Sequence, residues 1–433
     1  MSIQLKIDDS LTTQQRTTIL KKLTFQQFDK RTKRSTVISP YYIDEKGDYL
    51  YIPFAFGVKN GYSVPPRENY SVSSVEFVGK LRDYQKNTKK EAIKQLNAKG
   101  SVVLSLYCGF GKTFLAIYIA CKLRMKTVIL INRIVLGNQW IDELKTCCPD
   151  SKVQFLKTTS TLKEDADFYV INAMNVPKLH QKHPEFFKTI ATVVCDELHL
   201  ICAKNMYQAM FHLCPRYIIG LSATPYRTDN LDPIIDFYFG KEKIVEKLNR
   251  KHIVYCVQTG LELDFKRQED GSLDWNSVLE SQSTHEDRNQ MIVDIVRKCV
   301  SRNFLILVKR VTQGNILKRL LVESGETVAT LLGSSTTFDK EARVLIGTSS
   351  KIGVGFSHVS LDALIMACDL EAYFIQYLGR VFRKQGKDHL PLVFDLVDKE
   401  PPTLKRHYST RKKVYLSVGG TIRVVNRIDE IET

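Results

Sequence analysis

The stretch that most restricts how this chain can fold is Tyr107-Cys108-Gly109-Phe110-Gly111-Lys112-Thr113, set between an apolar β-rich run, Val102 to Leu106, and a helical pattern from Thr113 to Leu123. A strand-to-helix turn built on glycines lets successive backbone N–H groups curl around phosphate oxygens, and the start of the helix adds positive potential. At this spacing Lys112 reaches the β- and γ-phosphates, and the Thr113 hydroxyl can ligate Mg²⁺. The strict pattern G-x-x-x-x-G-K-[ST] needs glycine where Leu106 stands, so the match is to the shorter G-x-G-K-T form. Glycines also serve as plain turn residues, yet Lys112 and Thr113 directly ahead of a helix favour the phosphate reading.

A second signal strengthens it. Thr192-Val193-Val194-Cys195-Asp196-Glu197-Leu198-His199 places adjacent carboxylates at the end of an apolar strand. An aspartate there can hold Mg²⁺ against the phosphates, and the neighbouring glutamate can orient and deprotonate an attacking water. A solvated acidic turn is the plain alternative. It loses to the combination, because a P-loop upstream of such a pair makes a nucleoside triphosphatase.

The surrounding pattern agrees. From about Lys80 to Tyr226, short apolar runs (Val128 to Ile131, Asp167 to Ile171, Val193 to Cys195, Tyr217 to Leu221) alternate with helical patterns. A second such series runs from Glu286 to Asp398, through Phe304 to Val308, Val328 to Leu331, Val344 to Gly347, Ala363 to Met366 and Leu392 to Leu396. Strands apolar throughout and spaced by helices mark parallel sheets covered on both faces, so the fold class is α/β. The expected division is an N-terminal accessory module at 1–79, a first α/β domain at 80–228, a linker region at 229–284, a second α/β domain at 285–400 and a short basic C-terminal tail at 401–433.

Charge points to the partner. The 433 residues carry 63 Lys plus Arg against 47 Asp plus Glu, a formal charge of +16, which favours a polyanion. Nucleic acid leads and an acidic membrane surface is second. Basic residues are scattered (Lys30 to Arg34, Arg133, Lys309 and Arg310, Lys405 to Lys413), which suits backbone tracking more than base reading. No apolar run approaches the ~20 residues that span a bilayer, so a membrane protein is excluded, and with nucleic acid preferred no membrane partner is expected. Met1 to Ile7 lacks the pattern of a secretory signal, and the ten cysteines are expected to stay reduced.

The remaining motifs carry a resemblance. Asp196-Glu197-Leu198-His199 resembles a DExH box, Ser222-Ala223-Thr224-Pro225 the S-A-T motif, and Gln376-Tyr377-Leu378-Gly379-Arg380-Val381-Phe382-Arg383 the Q-x-x-G-R-x-x-R motif of superfamily 2 helicases. Leu81-Arg82-Asp83-Tyr84-Gln85 is similar to the adenine-recognition motif, Asn132 to Trp140 to motif Ia, and Gly347 to Gly355 to motif V. The P-loop looks closest to the XPB/UvsW-like branch, which includes poxvirus-type transcript-release helicases, and the compact chain suggests a large DNA virus or a phage. The resemblance implies two tandem RecA-like P-loop NTPase domains, with ATP and Mg²⁺ as cofactors. Gly109, Gly111, Lys112, Thr113 and Gly355 would bind nucleotide, Gln85 would read adenine, and Thr113 with Asp196 would hold Mg²⁺. Glu197 would be the catalytic base, with Arg380 and Arg383 contributed by the second domain. His199, Ser222, Thr224 and Gln376 would couple hydrolysis to strand movement. Ser357 departs from the family, which often has Asp or Asn there, and Asn172 replaces a usual Thr.

The implied function is ATP-driven unwinding or remodelling of nucleic acid, DNA or RNA, in viral transcription at transcript release or in repair of branched DNA. A polymerase or transcription complex is a candidate partner, and the host cytoplasm, the virion or the nucleus the candidate location. Rivals are a restriction-type motor subunit, for which the chain shows no evident nuclease constellation, and a nucleic-acid binder without motor activity; intact Lys112, Glu197 and Arg383 count against a degenerate motor, and a nucleotide-gated binder would typically lose the trans arginine. Cys195, His199, Cys202, His212 and Cys214 invite a zinc reading, but no Cys-x-x-Cys pair occurs and buried thiols explain them better. Trp140 reads as core packing.

Overall fold

The computed structural model describes residues 1–8, 11–29, 34–204, 206–227, 229–335, 337–352, 358, 360–370, 375–382 and 390–432. The chain forms two compact units, Met1–Glu246 and Lys247–Thr433.

Each unit is built on a parallel seven-stranded sheet. In the first the strand order is Lys243–Glu246, Ser101–Leu106, Tyr217–Ser222, Thr192–Cys195, Thr127–Ile131, Phe168–Asn172 and Val153–Phe155. All neighbours in that sheet are parallel. The central strands are buried along their whole length, as uninterrupted apolar runs require when helices cover both faces. The second sheet runs Val328–Leu331, Val344–Thr348, Phe304–Val308, Ala363–Met366, Leu392–Val397, His252–Gln258 and Gly420–Val425, again all parallel. These are the two tandem RecA-like domains the motifs implied.

Three boundaries differ from the sequence expectation. Residues 1–79 are not a separate module. Strands Ser2–Lys6 and Tyr49–Pro53 pair antiparallel, and their inward side chains (Ile3, Leu50, Ile52) join Val103, Val128 and Val193 in one continuous core. Phe54 lies under Gly100, where an added Cβ would come within 2.7 Å of its ring. The N-terminal segment covers apolar surface of the first domain.

The stretch 229–284 divides rather than links. Helix Asp232–Phe239 and strand Lys243–Glu246 complete the first unit, while His252–Gln258 is an inner strand of the second sheet. The tail is equally integral. Helix Pro402–Ser417 and strand Gly420–Val425 close the edge of the second sheet, and Arg411 and His407, part of a basic run, are buried. Arg411 pairs with Asp395 at 2.8 Å and with Asp369 at 2.7 Å. Lys405, Arg406, Lys412 and Lys413 remain on the exposed face of that helix.

A second buried ion pair, Arg288 with Asp398 at 3.0 Å, is completed by Thr259 and Gln282, which donate to the same carboxylate at 2.9 and 2.6 Å. Buried charges persist only when so satisfied. All ten cysteines are free, and all but Cys214 are buried. No helix among the described residues is long and apolar enough to cross a membrane.

Candidate active site

Three adjacent strands of the first sheet, Ser101–Leu106, Tyr217–Ser222 and Thr192–Cys195, end side by side. Their register therefore brings together the P-loop, Ser222 to Thr224, and Asp196 with Glu197, which are far apart in sequence.

The loop itself is held in left-handed backbone at Gly109 (φ 97°) and Gly111 (φ 90°), the region in which glycine alone is unstrained. Helix Lys112–Leu123 starts directly after Gly111, so its unbonded N–H groups and dipole face the loop. Lys112 Nζ donates to the Leu106 carbonyl at 3.2 Å, folding over the end of the strand. Phe110 is buried between the rings of Tyr84 and Tyr107.

Gln85 meets this loop from below. Its Nε2 donates to the Phe110 carbonyl at 2.8 Å, and its Oε1 accepts from the Arg82 backbone N–H at 2.9 Å. The Leu81 to Gln85 motif and the P-loop are thus one hydrogen-bonded piece. A Cβ on Gly111 would come within 2.7 Å of Gln85 Nε2, so both loop conformation and space demand glycine there.

Asp196 follows strand Thr192–Cys195 and is buried. Its Oδ2 accepts from the indole Nε1 of Trp140 at 2.9 Å and its Oδ1 from the Glu197 backbone N–H at 3.0 Å. Burial, then the neighbouring Glu197 charge, holds the Asp196 carboxyl above its ordinary range, opposed by the Trp140 hydrogen bond and by Lys112. Glu197 adopts a left-handed backbone (φ 49°, ψ 56°), an arrangement costly for a residue with a Cβ. Two adjacent buried carboxylates at the strand end next to the P-loop strand end are hard oxygen donors, the kind that suits Mg²⁺, and their mutual repulsion is relieved by a cation.

His199 sits on the next turn. Its Nδ1 is 3.5 Å from Glu197 Oε2 and 2.9 Å from Ser222 Oγ, which also accepts from the Thr224 backbone N–H at 3.0 Å. Burial lowers the His199 pKa to about 4, aided by Arg227 and Lys112, so the ring is neutral at pH 7. Arg227 donates to the His199 carbonyl and pairs with Asp229. Glu197, His199, Ser222 and Thr224 therefore form one connected path from the acidic pair to the third strand end.

Sequence reading missed Trp140 and Arg227. The Gln139-Trp140 pair closing the motif Ia resemblance was the available signal for the first; nothing local marked the second. In the second unit Gln376 and Arg380 lie on helix Ile375–Val381 and are both buried. Tyr377, between them, donates to the Ser349 carbonyl at 2.8 Å. Arg383, Gly355 and Ser357 lie outside the described residues.

Comparison with known proteins fits this arrangement. Residues 79–227 match the family described as "Type III restriction enzyme, res subunit". The chain is 41% identical over 430 residues to "Putative helicase 161L" of Invertebrate iridescent virus 6, covering 93% of this chain and 95% of that protein. It is 24% identical to "Putative ATP-dependent RNA helicase L396" of Acanthamoeba polyphaga mimivirus, covering 87% and 76%. Among solved structures, S. cerevisiae Dbp5 bound to RNA and ADP BeF3 shares the fold at a TM-score of 0.55 and 14% identity, over 79% of this chain and 90% of that one. The chain belongs to the superfamily 2 helicases, ATP-dependent enzymes, in the group carried by large DNA viruses.

Proposed function

We propose that this helicase couples ATP hydrolysis to movement along nucleic acid and displaces RNA from RNA–DNA structures during viral transcription. The observation that carries the reading is the juxtaposition of the Gly109–Thr113 loop with the buried Asp196 and Glu197 pair at neighbouring strand ends. The mimivirus relative's name as an RNA helicase supports the RNA side of the substrate.

In this mechanism the backbone N–H groups from Gly109 to Thr113, with Lys112, bind the phosphates. Thr113 and Asp196 would hold Mg²⁺, which when bound neutralises charge on the β- and γ-phosphate oxygens. Glu197 orients and deprotonates the attacking water, held for that task by its left-handed backbone. Trp140 fixes the Asp196 carboxylate. Gln85, tied to the Phe110 carbonyl, reports adenine occupancy to the loop. Arg380 and Arg383 are assigned the charge developing on the γ-phosphoryl group, a role worth ~10³ or more in rate. His199, Ser222, Thr224 and Gln376 pass the state of the acidic pair to the nucleic-acid contacts. The protein works inside the infected cell, in host cytoplasm, virion or nucleus, beside a transcription complex.

The test is ATP hydrolysis with no polymer and with single-stranded DNA, duplex DNA, forked DNA and RNA, paired with displacement of a labelled RNA from an RNA–DNA hybrid. Lys112→Ala and Glu197→Gln must abolish both readouts. RNA displacement faster than unwinding of forked DNA supports the transcription role; the reverse order assigns the protein to branched-DNA repair. Binding without hydrolysis under every condition leaves a nucleotide-gated binder.

A further inference from the structure

The first unit contains a cleft of about 960 Å³ that the motor chemistry does not use. It opens at Ser101, the start of the strand whose other end carries the P-loop, so about 20 Å of strand separates it from the nucleotide loop. Its walls are helix Phe54–Lys59, the end of helix Gln85–Lys99 and helix Asp232–Phe239. The N-terminal segment thus supplies one whole wall.

Ala55, Phe56 and Phe237 give the cleft an apolar floor. Phe56 and Phe237 pack edge to face at 5.8 Å, so the rings are engaged with each other. Around the floor stand Lys22, Lys59, Lys99 and Lys241, all exposed, against two carboxylates, Asp236 and Glu242. Lys99 is already paired with Glu242 at 2.5 Å. The rim therefore carries a positive excess over a hydrophobic base.

We propose that this cleft is a docking site for an acidic peptide segment of a partner protein, anchored by an apolar side chain on the Phe56–Phe237 floor and held by the lysine rim. Charge complementarity selects the class: the positive rim steers and retains acidic residues, while the floor contributes burial. A nucleic-acid strand fits less well, because Phe56 and Phe237, engaged edge to face with each other, offer bases no open stacking platform, whereas the apolar floor still accepts an aliphatic or aromatic anchor. The cleft gives residues 54–60 a recognition role independent of hydrolysis.

The test selects short peptides from a random displayed library on the full chain and measures the selected peptides by fluorescence anisotropy. The expected peptides combine Asp or Glu with Leu or an aromatic residue. Their affinity should fall about tenfold, 1.4 kcal/mol, on the double substitution Lys59→Glu with Lys241→Glu. It should fall similarly on Ala55→Trp, which fills the floor without changing charge. The double substitution Lys405→Glu with Lys412→Glu in the second unit should leave it unchanged, as should Lys112→Ala. Peptides indifferent to the cleft substitutions, or equally weakened by the second-unit pair, overturn the proposal. Labelled oligothymidylate or oligouridylate whose binding falls on Ala55→Trp, with peptides unaffected, also overturns it and makes the cleft a nucleic-acid surface. Thermal melting of every variant, with ATP hydrolysis measured for all but Lys112→Ala, establishes that each is folded.

Discussion

The indole Nε1 of Trp140 donates a 2.9 Å hydrogen bond to Oδ2 of Asp196, buried inside the first unit. The bond ties the helix of the motif Ia region to the acidic pair. It also opposes the burial and the Glu197 charge that push the Asp196 carboxyl toward its protonated form. Trp140→Phe keeps most of the buried ring and removes only the donor. A hydrogen bond to a charged acceptor is worth about 1.5–3 kcal/mol, so kcat for ATP hydrolysis should fall at least about tenfold and the Mg²⁺ concentration for half-maximal rate should rise. Steady-state hydrolysis over a Mg²⁺ titration measures both. A variant that melts a few degrees lower but turns over normally would reduce Trp140 to packing.

Gly111 is fixed by two independent constraints, its φ of 90° and the 2.7 Å approach that a Cβ would make to Gln85 Nε2. Left-handed backbone costs alanine about 1–2 kcal/mol, and relieving the clash would break the Gln85 bond to the Phe110 carbonyl. Gly111→Ala should therefore weaken nucleotide binding at least about tenfold while leaving the sheet folded. Equilibrium titration with a fluorescent ATP analogue, beside a circular-dichroism melt, gives the comparison.

The sequence made the site's centre readable because its signals are local: glycines, Lys112 and Thr113 lie in one strand–helix turn, and Asp196 and Glu197 end one apolar strand. The same holds for the central strands, whose apolar runs coincide with Phe304–Val308 and nearly with Thr192–Cys195. Partners were less legible. The sequence reads as strand-like from Tyr49 to Phe56, whereas the strand ends at Pro53 and a helix starts at Phe54, and nothing local announces that its buried face closes over Val103. His252–Gln258 lies between polar stretches and became visible as an inner strand only through its pairing with Leu392–Val397. Arg411 sat in a basic run whose lysines, Lys405, Lys412 and Lys413, and whose Arg406 are solvated, and nothing nearby in sequence signals that Asp369 and Asp395 converge on it. Trp140 read as core, correctly as to burial, without the carboxylate across from it.

Arg411 is that hidden clasp. It bonds Asp395 through Nε and Nη2 at 2.8 Å each and Asp369 through Nη1 at 2.7 Å, while Tyr415 donates to Asp395 at 2.9 Å. Arg411→Met would leave two buried carboxylates short of their cation, a loss of about 3–5 kcal/mol. Arg411→Lys should recover part of it, since an ammonium cannot span both acids as a planar guanidinium does. Urea unfolding should show the second unit melting first in Arg411→Met, with hydrogen exchange rising in Leu392–Val397 before Ser101–Leu106. A single unshifted transition would contradict the clasp.

Acid should loosen the N-terminal cover of the first unit. The rings of His180 and His212 pack at a tilt with centroids 4.7 Å apart, and Tyr42 of the N-terminal sheet packs on His212 at 5.8 Å. Burial lowers the His212 pKa to about 4, with His180 adding to the shift, and burial likewise lowers that of His180. The unfolded chain binds protons at these rings near pH 6.5 while the folded chain resists them, so stability is complete above that pH and declines as pH falls toward about 4. Allowing for solvent screening of the partly exposed His212 ring, its share is about 1–2 kcal/mol at pH 4.5. His212→Gln should flatten the fall in urea midpoint between pH 7 and pH 4.5, with the largest change in hydrogen exchange at Tyr42–Ile43 and Tyr207–His212. An equal slope in variant and parent would place the acid sensitivity elsewhere in the fold.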